Sequence, residues 1–170
     1  MKQRLVYATV SAALIVLDYV SKQWASARLR TGPDIDVIPG LLRLVYAENP
    51  GIAFSMFNSG GQTTRWLLVS FSAATAVGVA VMAIRAMPTD WRSQSICALL
   101  FSGIVGNLID RVQTGRVIDF IDVYVGTSHW PTFNVADSAI SVGAVLLALE
   151  LFRKPEPADV KSTSESTQNL

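Results

Sequence analysis

Cysteine and histidine are nearly absent from this chain, which has one residue of each, Cys97 and His129. A single cysteine excludes a disulfide framework and a cysteine-based metal site, and Cys97 lies in an apolar run where a buried, inert thiol is expected. A single histidine excludes multi-histidine metal sites and would make a Ser-His-Asp triad depend on one loop residue. Neither thiol chemistry nor histidine-based metal chemistry is therefore favoured.

Charged residues are also scarce, at 16% of the chain, whereas 51% of the residues are hydrophobic and the mean hydropathy is +0.38. A soluble domain of this size is usually less apolar. The composition therefore predicts an integral membrane protein that is mainly α-helical. The formal net charge of +1 gives no reason to expect a nucleic-acid partner.

Four apolar stretches predict four transmembrane helices, at about residues 5–24, 66–87, 95–109 and 135–152. The first stretch could instead be a signal peptide with a cleavage site at Ala25-Ser26-Ala27. We reject that interpretation because Asp18 and Lys22 interrupt the segment before the site and Trp24 is typical of an interfacial anchor. Residues 1–154 are predicted to form one membrane-embedded domain, and the polar residues 155–170 a disordered tail.

Between the first two spans the sequence predicts a small extramembrane β-element, at about residues 35–57, that lies on the bilayer. From Leu42 to Ala47 the side chains alternate with the period of a half-buried strand. Asn49-Pro50-Gly51 follows, and taken alone it predicts only a turn.

The number of lysines and arginines does not decide the orientation, because each side of a four-span topology carries seven. Those on the side of the termini lie closer together and flank the span ends: Lys2, Arg4, Arg85, Arg92, Arg153, Lys154 and Lys161. We therefore predict cytoplasmic termini, with the β-element and the loop from Arg111 to Asn134 outside.

Polar residues collect at the outer ends of the third and fourth spans. Asn107, Asp110 and Arg111 share one face of the third helix because they are spaced i, i+3 and i+4. Asp119 follows among apolar neighbours, and Asp137 lies in the first turn of the fourth helix. A charge at membrane depth costs roughly 2.5 kcal/mol or more unless it is paired, hydrated or functional.

Most of these charges also have a purely structural explanation. Asp137 could cap its helix, Asp110 could pair with Arg111, and Asp18 could pair with Lys22, either to tether the helix end or to orient a site. Asp119 has no such partner in the sequence. Two carboxylates brought together in a poorly hydrated place would share a proton, which gives the general acid and general base that aspartic proteases use.

Five motifs, in order, resemble those of bacterial lipoprotein signal peptidase (signal peptidase II). They are Asp18 with Lys22, Asn49-Pro-Gly-Ile-Ala-Phe54, Gly106-Asn-Leu-Ile-Asp-Arg111, Val117-Ile-Asp-Phe-Ile121 and Phe133-Asn-Val-Ala-Asp-Ser138. The resemblance runs from Asp18 to Phe152, and the order of the motifs is far more specific than any one of them. One departure, Ser102-Gly103-Ile104 in place of a Gly-Gly-Ala type sequence, bears on helix packing and not on the acids.

The resemblance implies an aspartic endopeptidase whose catalytic dyad is Asp119 and Asp137. It assigns supporting or substrate-binding roles to Asp18, Lys22, Asn49, Asn107, Asp110, Arg111 and Asn134. The implied substrate is a prolipoprotein with a diacylglyceryl group on its lipobox cysteine, cut just before that cysteine without a metal or an organic cofactor. The implied setting is the bacterial cytoplasmic (inner) membrane, with membrane lipid as a partner, the site near the outer leaflet and a monomeric state.

Two other functions fit the residues less well. A small ion-coupled transporter or proton relay would place its acids near the bilayer midplane, whereas these acids lie at span ends. A non-catalytic scaffold would use its acids only to pair with Lys22, Arg111 and Arg116, which leaves Asp119 unexplained. The sequence assigns no role to Asp122 or Glu150.

Overall fold

The computed structural model of the protein describes residues 2–51, 62–85 and 91–152. Helices and strands alternate along this part of the chain in the order α1 (Lys2–Leu29), β1 (Ile35–Ile38), β2 (Leu42–Asn49), α2 (Gln62–Arg85), α3 (Trp91–Gln113), β3 (Val117–Val125), β4 (Ser128–His129) and α4 (Val135–Leu151). The parts of the sequence predictions that concern residues 52–57, 86–87 and 153–170 lie outside the described residues.

Three of these helices, α1 from Arg4 onward, α2 and α3, are long and apolar enough to cross a membrane. Helix α4 is also apolar, but its 17 residues extend only about 26 Å at 1.5 Å per residue, slightly less than a typical span requires. The prediction of a mainly helical membrane protein is confirmed, and the fourth crossing stays a prediction.

Two of the helices, α1 and α3, extend well beyond both ends of their predicted spans. Helix α1 continues past Trp24 to Leu29, and α3 runs from Trp91 to Gln113 and not only over residues 95–109. Hydropathy locates the apolar part of a helix, whereas the hydrogen-bonded turns continue into the interfacial region, where polar and aromatic residues are tolerated.

Helix α3 is the centre of the helical part and packs against α1, α2 and α4. Two glycines allow this close packing. A Cβ atom on Gly106 would lie 2.6 Å from Oδ2 of Asp18 in α1, and one on Gly103 would collide with the carbonyl oxygen of Ala136 in α4. Because neither glycine has a side chain, α1 and the first turn of α4 can bring their polar residues against α3.

The extramembrane part is a four-stranded sheet with the strand order β1-β2-β3-β4 and antiparallel pairs. The sequence analysis treated residues 111–134 as a loop, and this was wrong, since they contain β3 and β4. The β-branched and aromatic residues of Val117–Val125 are favourable for a strand, and pairing with β2 places Asp119 opposite Ala47.

The sheet is attached to the end of α1 through a small apolar cluster. Ala25 and Leu29 of α1 are buried with Phe120 of β3, and Leu44 and Tyr46 of β2 pack against them. The alternation predicted for β2 therefore does place its large apolar side chains on the packed face. Through this cluster the position of β3 is fixed relative to the helices.

Candidate active site

Asp119 and Asp137 belong to different elements that meet at the C-terminal end of α3. Asp119 lies near the start of β3 and is 1% exposed. Asp137 lies in the first turn of α4 and is partly exposed. The fold therefore places the two predicted acids at the same end of α3, one of them buried and the other partly exposed.

Asp119 accepts a hydrogen bond at each carboxylate oxygen. Nδ2 of Asn134 lies 2.7 Å from its Oδ1, and Nδ2 of Asn49 lies 3.0 Å from its Oδ2. Burial raises the pKa of Asp119, the hydrogen bond from Asn49 opposes that effect, and the charge of Asp137 raises the pKa further, to about 6. Asp119 therefore titrates close to neutral pH.

Asp137 is held by two amide side chains. Nδ2 of Asn107 lies 2.7 Å from its Oδ1, and its backbone N–H donates to Oδ1 of Asn134 at 2.8 Å. The N-cap of α4 is thus Asn134, and the carboxylate of Asp137 is not used as a cap. The capping role considered for Asp137 is therefore excluded, while Asp137 remains an acid in the first turn of α4, where the helix dipole favours a carboxylate.

Lys22 is completely buried and connects the elements behind the pair. Its Nζ lies 2.7 Å from Oδ2 of Asp18, 2.9 Å from Oδ2 of Asp110 and 3.0 Å from Oδ1 of Asn107. The predicted ion pair of Asp18 with Lys22 is present. Asp110, however, pairs with Lys22 and not with Arg111, as the sequence had suggested.

The same carboxylates also bind backbone groups of the elements that carry the pair. Oδ1 of Asp18 accepts from the N–H of Ala136 at 2.8 Å, and Oδ2 of Asp110 accepts from the N–H of Ile118 at 3.2 Å. Each of these N–H groups belongs to a residue next to Asp137 or Asp119 in the chain. Because a buried ion pair is stable only when its remaining bonding capacity is satisfied, this network restricts where β3 and α4 can lie.

The other two predicted residues lie at the rim of the network. The side chain of Asn49 is oriented by the turn that follows it, since its Oδ1 accepts from the N–H of Gly51 at 2.9 Å and Gly51 has a positive φ of 84°. The side chain of Arg111 donates within its own helix, from Nη1 to the carbonyl oxygen of Asn107 at 3.3 Å.

The sequence analysis missed two further groups of residues near the site. Arg65 of α2 donates from Nε to the carbonyl oxygen of Arg111 at 2.9 Å and so attaches α2 to the end of α3. Arg43, Asp122 and His129 form a second charged cluster on the sheet. Recognising Val117–Val125 as a strand beside β2 would have indicated a cross-strand pair of Arg43 and Asp122.

Within residues 2–51, 62–85 and 91–152, no three His, Cys, Asp or Glu side chains converge as the ligands of a metal ion would.

Fold and site together define a membrane protein of several helices with a paired-carboxylate site at one end of its central helix. More particularly, the chain belongs to the signal peptidase II family, because the family model for signal peptidase (SPase) II matches residues 10–153. This confirms the resemblance seen in the sequence motifs, and it does not support an ion-coupled transporter or proton relay.

Individual relatives agree with this assignment. The chain is 44% identical to the lipoprotein signal peptidase of Geobacter metallireducens over 151 residues, which are 87% of this chain and 91% of that one. It is 43% identical to the lipoprotein signal peptidase of Hydrogenovibrio crunogenus over 158 residues, 90% of each chain. A solved bacterial membrane enzyme has a similar fold, with a TM-score of 0.78, 28% identity and coverage of 87% of this chain and 93% of that one.

Proposed function

We propose that this protein is a lipoprotein signal peptidase that acts as an aspartic endopeptidase and removes the signal peptide from prolipoproteins. One observation carries the aspartic mechanism: the side chain of Asn134 binds both the carboxylate of Asp119 and the backbone N–H of Asp137. One amide side chain thus binds the buried carboxylate of Asp119 and the backbone of Asp137, whose carboxylate is more exposed. This unequal exposure suits one carboxyl group to retain a proton while the other is ionised.

In the proposed reaction Asp137 is the general base and Asp119 the general acid. Asp137 takes a proton from a water molecule as the water oxygen attacks the scissile carbonyl carbon, and the proton of Asp119 is shared with the carbonyl oxygen. When the tetrahedral intermediate collapses, the C–N bond breaks, and the proton held by Asp137 moves to the leaving nitrogen. Asp119 takes this role because its pKa is raised to about 6 by burial and by the neighbouring charge of Asp137.

The remaining predicted residues would act by holding this pair. Asn49 and Asn134 bind the two oxygens of Asp119, Asn107 binds Asp137, and Lys22 binds Asn107. Asp18 and Asp110 neutralise Lys22, and Arg111 lies at the open end of α3, where it could contact the substrate. Donors fixed in advance cost no reorganisation during the reaction.

The proposed substrate carries a diacylglyceryl group on the cysteine that follows the cleaved bond. An acylated cysteine at the membrane surface would enter from the lipid, so the site should open toward the outer leaflet of the bacterial inner membrane, with the protein acting as a monomer. We further propose that residues 1–154 form one peptidase domain with cytoplasmic termini. In it α4 is the fourth span, since Val142, Val145 and Leu149 are 51%, 59% and 62% exposed and would need lipid around them.

The decisive experiment is cleavage of a diacylglyceryl-modified precursor by the purified protein in detergent, followed on a gel. The wild-type protein should release the signal peptide, and a precursor without the lipid should remain intact. Asp119→Asn and Asp137→Asn should each abolish cleavage, because an amide keeps the shape of the side chain but cannot exchange the proton. Asp34→Asn, which removes an exposed acid of the extramembrane part, is the matched control. Cleavage by either dyad variant within tenfold of wild type would exclude that residue from the dyad.

A further inference from the structure

Asp122 is a buried carboxylate that the proposed reaction does not use. It lies on β3, is 2% exposed and has partners on both neighbouring strands. Its Oδ2 lies 2.6 Å from Nε of Arg43 on β2, and both of its oxygens lie 3.0 Å from Nδ1 of His129 on β4. Burial opposes its ionisation, but the hydrogen bonds from His129 and Arg43 outweigh this and keep the pKa of Asp122 below its ordinary value.

Tyr124 completes this group of side chains, which we call the β3 clasp (Arg43, Asp122, Tyr124 and His129). The ring of His129 stacks on that of Tyr124, with centroids 5.3 Å apart and planes 13° from parallel, and the guanidinium of Arg43 lies 5.1 Å from the centre of the same ring. In the sheet Arg43 is the register partner of Asp122, and His129 is that of Tyr124. The clasp therefore joins three strands at one point.

Three residues of the clasp, Asp122, Tyr124 and His129, belong to the chain segment that connects Asp119 to Asp137. The chain reverses between β3 and β4, and after His129 it continues antiparallel to β3. There the N–H of Trp130 donates to Val123 O at 2.8 Å, and that of Phe133 donates to Ile121 O at 3.0 Å. The next residue is Asn134, which caps the helix that carries Asp137. The position of Asp137 relative to Asp119 thus depends on the register of residues 128–134 along β3.

We propose that Asp122 is a positioning residue of this enzyme, which holds Arg43 on one side of β3 and His129 on the other and so fixes the separation of Asp119 and Asp137. The proposal rests on the proposed function, because it takes these two carboxylates as the reacting pair. Asp122 itself contacts neither of them. A displacement of about 1 Å in a catalytic group can cost on the order of a hundredfold in rate, so a loosened clasp should slow the chemistry without removing a reacting group.

A rival role for the same side chains is direct contact with the substrate. A surface groove of about 540 Å³ adjoins the clasp and is lined by Arg43, Asp122, His129, Trp130 and Thr132 among others. A substrate segment bound in this groove would make the clasp part of a binding site, and substitutions there would then change KM first. A positioning role predicts the opposite pattern, a lower kcat with KM nearly unchanged.

The test measures kcat and KM for the lipidated precursor, per folded molecule, with folding followed by thermal unfolding in detergent. Asp122→Asn and His129→Ala should lower kcat by about tenfold to a hundredfold while KM stays within about twofold. His129→Asn should restore kcat to within about threefold, because the amide nitrogen of Asn can replace Nδ1 as the donor to Asp122. Gly78→Ala, in α2, where an added Cβ meets nothing within 4 Å, should leave both constants unchanged.

Three results would overturn the positioning role. They are an unchanged kcat per folded molecule in Asp122→Asn, a change confined to KM, and an equal loss in His129→Asn and His129→Ala. Failure of the proposed function would look different, since Asp119→Asn would then still cleave the precursor. If Asp119→Asn is inactive and Asp122→Asn is fully active, only the positioning role is refuted.

Discussion

Nδ2 of Asn134 lies 2.7 Å from Oδ1 of Asp119, at the point where β3 and α4 meet. The orientation of this amide is fixed by its other end, because Oδ1 of Asn134 accepts from the backbone N–H of Asp137, which can only donate. The nitrogen of the amide must therefore face Asp119. Helix capping and the orientation of the candidate acid are thus performed by one side chain with no exposed surface.

The two tasks of Asn134 can be separated by substitution. Asn134→Ser retains a cap oxygen but has no donor that reaches Asp119, whereas Asn134→Ala loses both. We expect both variants to lose on the order of a hundredfold or more in kcat, because removing one oriented hydrogen-bond donor from an enzyme active site typically has an effect of that size. Only Asn134→Ala should also lose the cap, worth about 1 kcal/mol, and therefore unfold at a lower temperature than Asn134→Ser. Wild-type kcat in Asn134→Ser would show that the bond to Asp119 is not needed.

The close packing at Gly103 offers a second prediction. A methyl group there would collide with the carbonyl oxygen of Ala136 and lie 3.1 Å from the N of Ile140, so Gly103→Ala must displace the first turns of α4 together with Asp137. We expect a lower unfolding temperature and a kcat reduced by tenfold or more, on the scale of a 1 Å misplacement. Gly78→Ala is the matched control, because a Cβ at Gly78 in α2 meets nothing within 4 Å. Equal behaviour of the two variants would contradict the packing argument.

The sequence predicted the local relationships of the site better than the distant ones. The pair of Asp18 and Lys22 follows from helix spacing, and so does the shared face of Asn107 and Asp110. The bond from Lys22 to Asp110 joins α1 to α3, and no periodicity within either helix indicates it. Grouping Asp119 with Asp137 came from the resemblance and from the cost of charge in an apolar setting.

The sheet was the least predictable part of the fold. The loop predicted between the third and fourth spans includes residues 117–125, although their β-branched and aromatic content favours a strand. Without β3 as a strand, the register that pairs Arg43 with Asp122 was not visible. Helix ends were also misjudged, because the hydropathy of a span does not report where backbone hydrogen bonding stops.

The proposed orientation in the membrane can be tested with single cysteines. Cys97 is buried and is the one cysteine of the chain, so Cys97→Ser gives a background without thiols. In intact cells Thr31→Cys, between α1 and β1, should react with a membrane-impermeant thiol reagent. Arg85→Cys, at the C-terminal end of α2, should react only after the membrane is made permeable, because α2 is predicted to cross the membrane. The reverse pattern of labelling would place the termini outside.

The pKa of Asp119 makes the pH dependence of cleavage a test of its role. As a general acid Asp119 must carry a proton, and its pKa lies at about 6. The rate kcat/KM in detergent should therefore fall about tenfold per pH unit above pH 6. If the rate instead rises through pH 6 to a plateau, Asp119 acts in its ionised form, and the two assignments in the dyad must be exchanged.

The same raised pKa predicts that Asp119 costs the protein stability at neutral pH. Its ordinary value is 3.8 and its value in the folded protein is about 6, so the folded state binds the proton more tightly than the unfolded chain does. The stability that this group contributes is fully present below pH 3.8 and is lost as the pH rises through 6. Asp119→Asn removes the titration, and its one amide oxygen can accept from Asn134 or from Asn49 but not from both, because the amide NH2 only donates.

The stability of Asp119→Asn relative to wild type should therefore rise between pH 4 and pH 8 by on the order of 2 kcal/mol. The measurement is thermal unfolding in detergent at several pH values, with Gly78→Ala as a non-titrating control whose effect should not change between pH 4 and pH 8. A variant that is inactive and yet more stable at pH 8 would show that the buried carboxylate is retained for chemistry at a cost to the fold. If the stability of Asp119→Asn relative to wild type does not change between pH 4 and pH 8, the charge of Asp119 is well compensated in the folded state, and the general-acid role loses its physical basis.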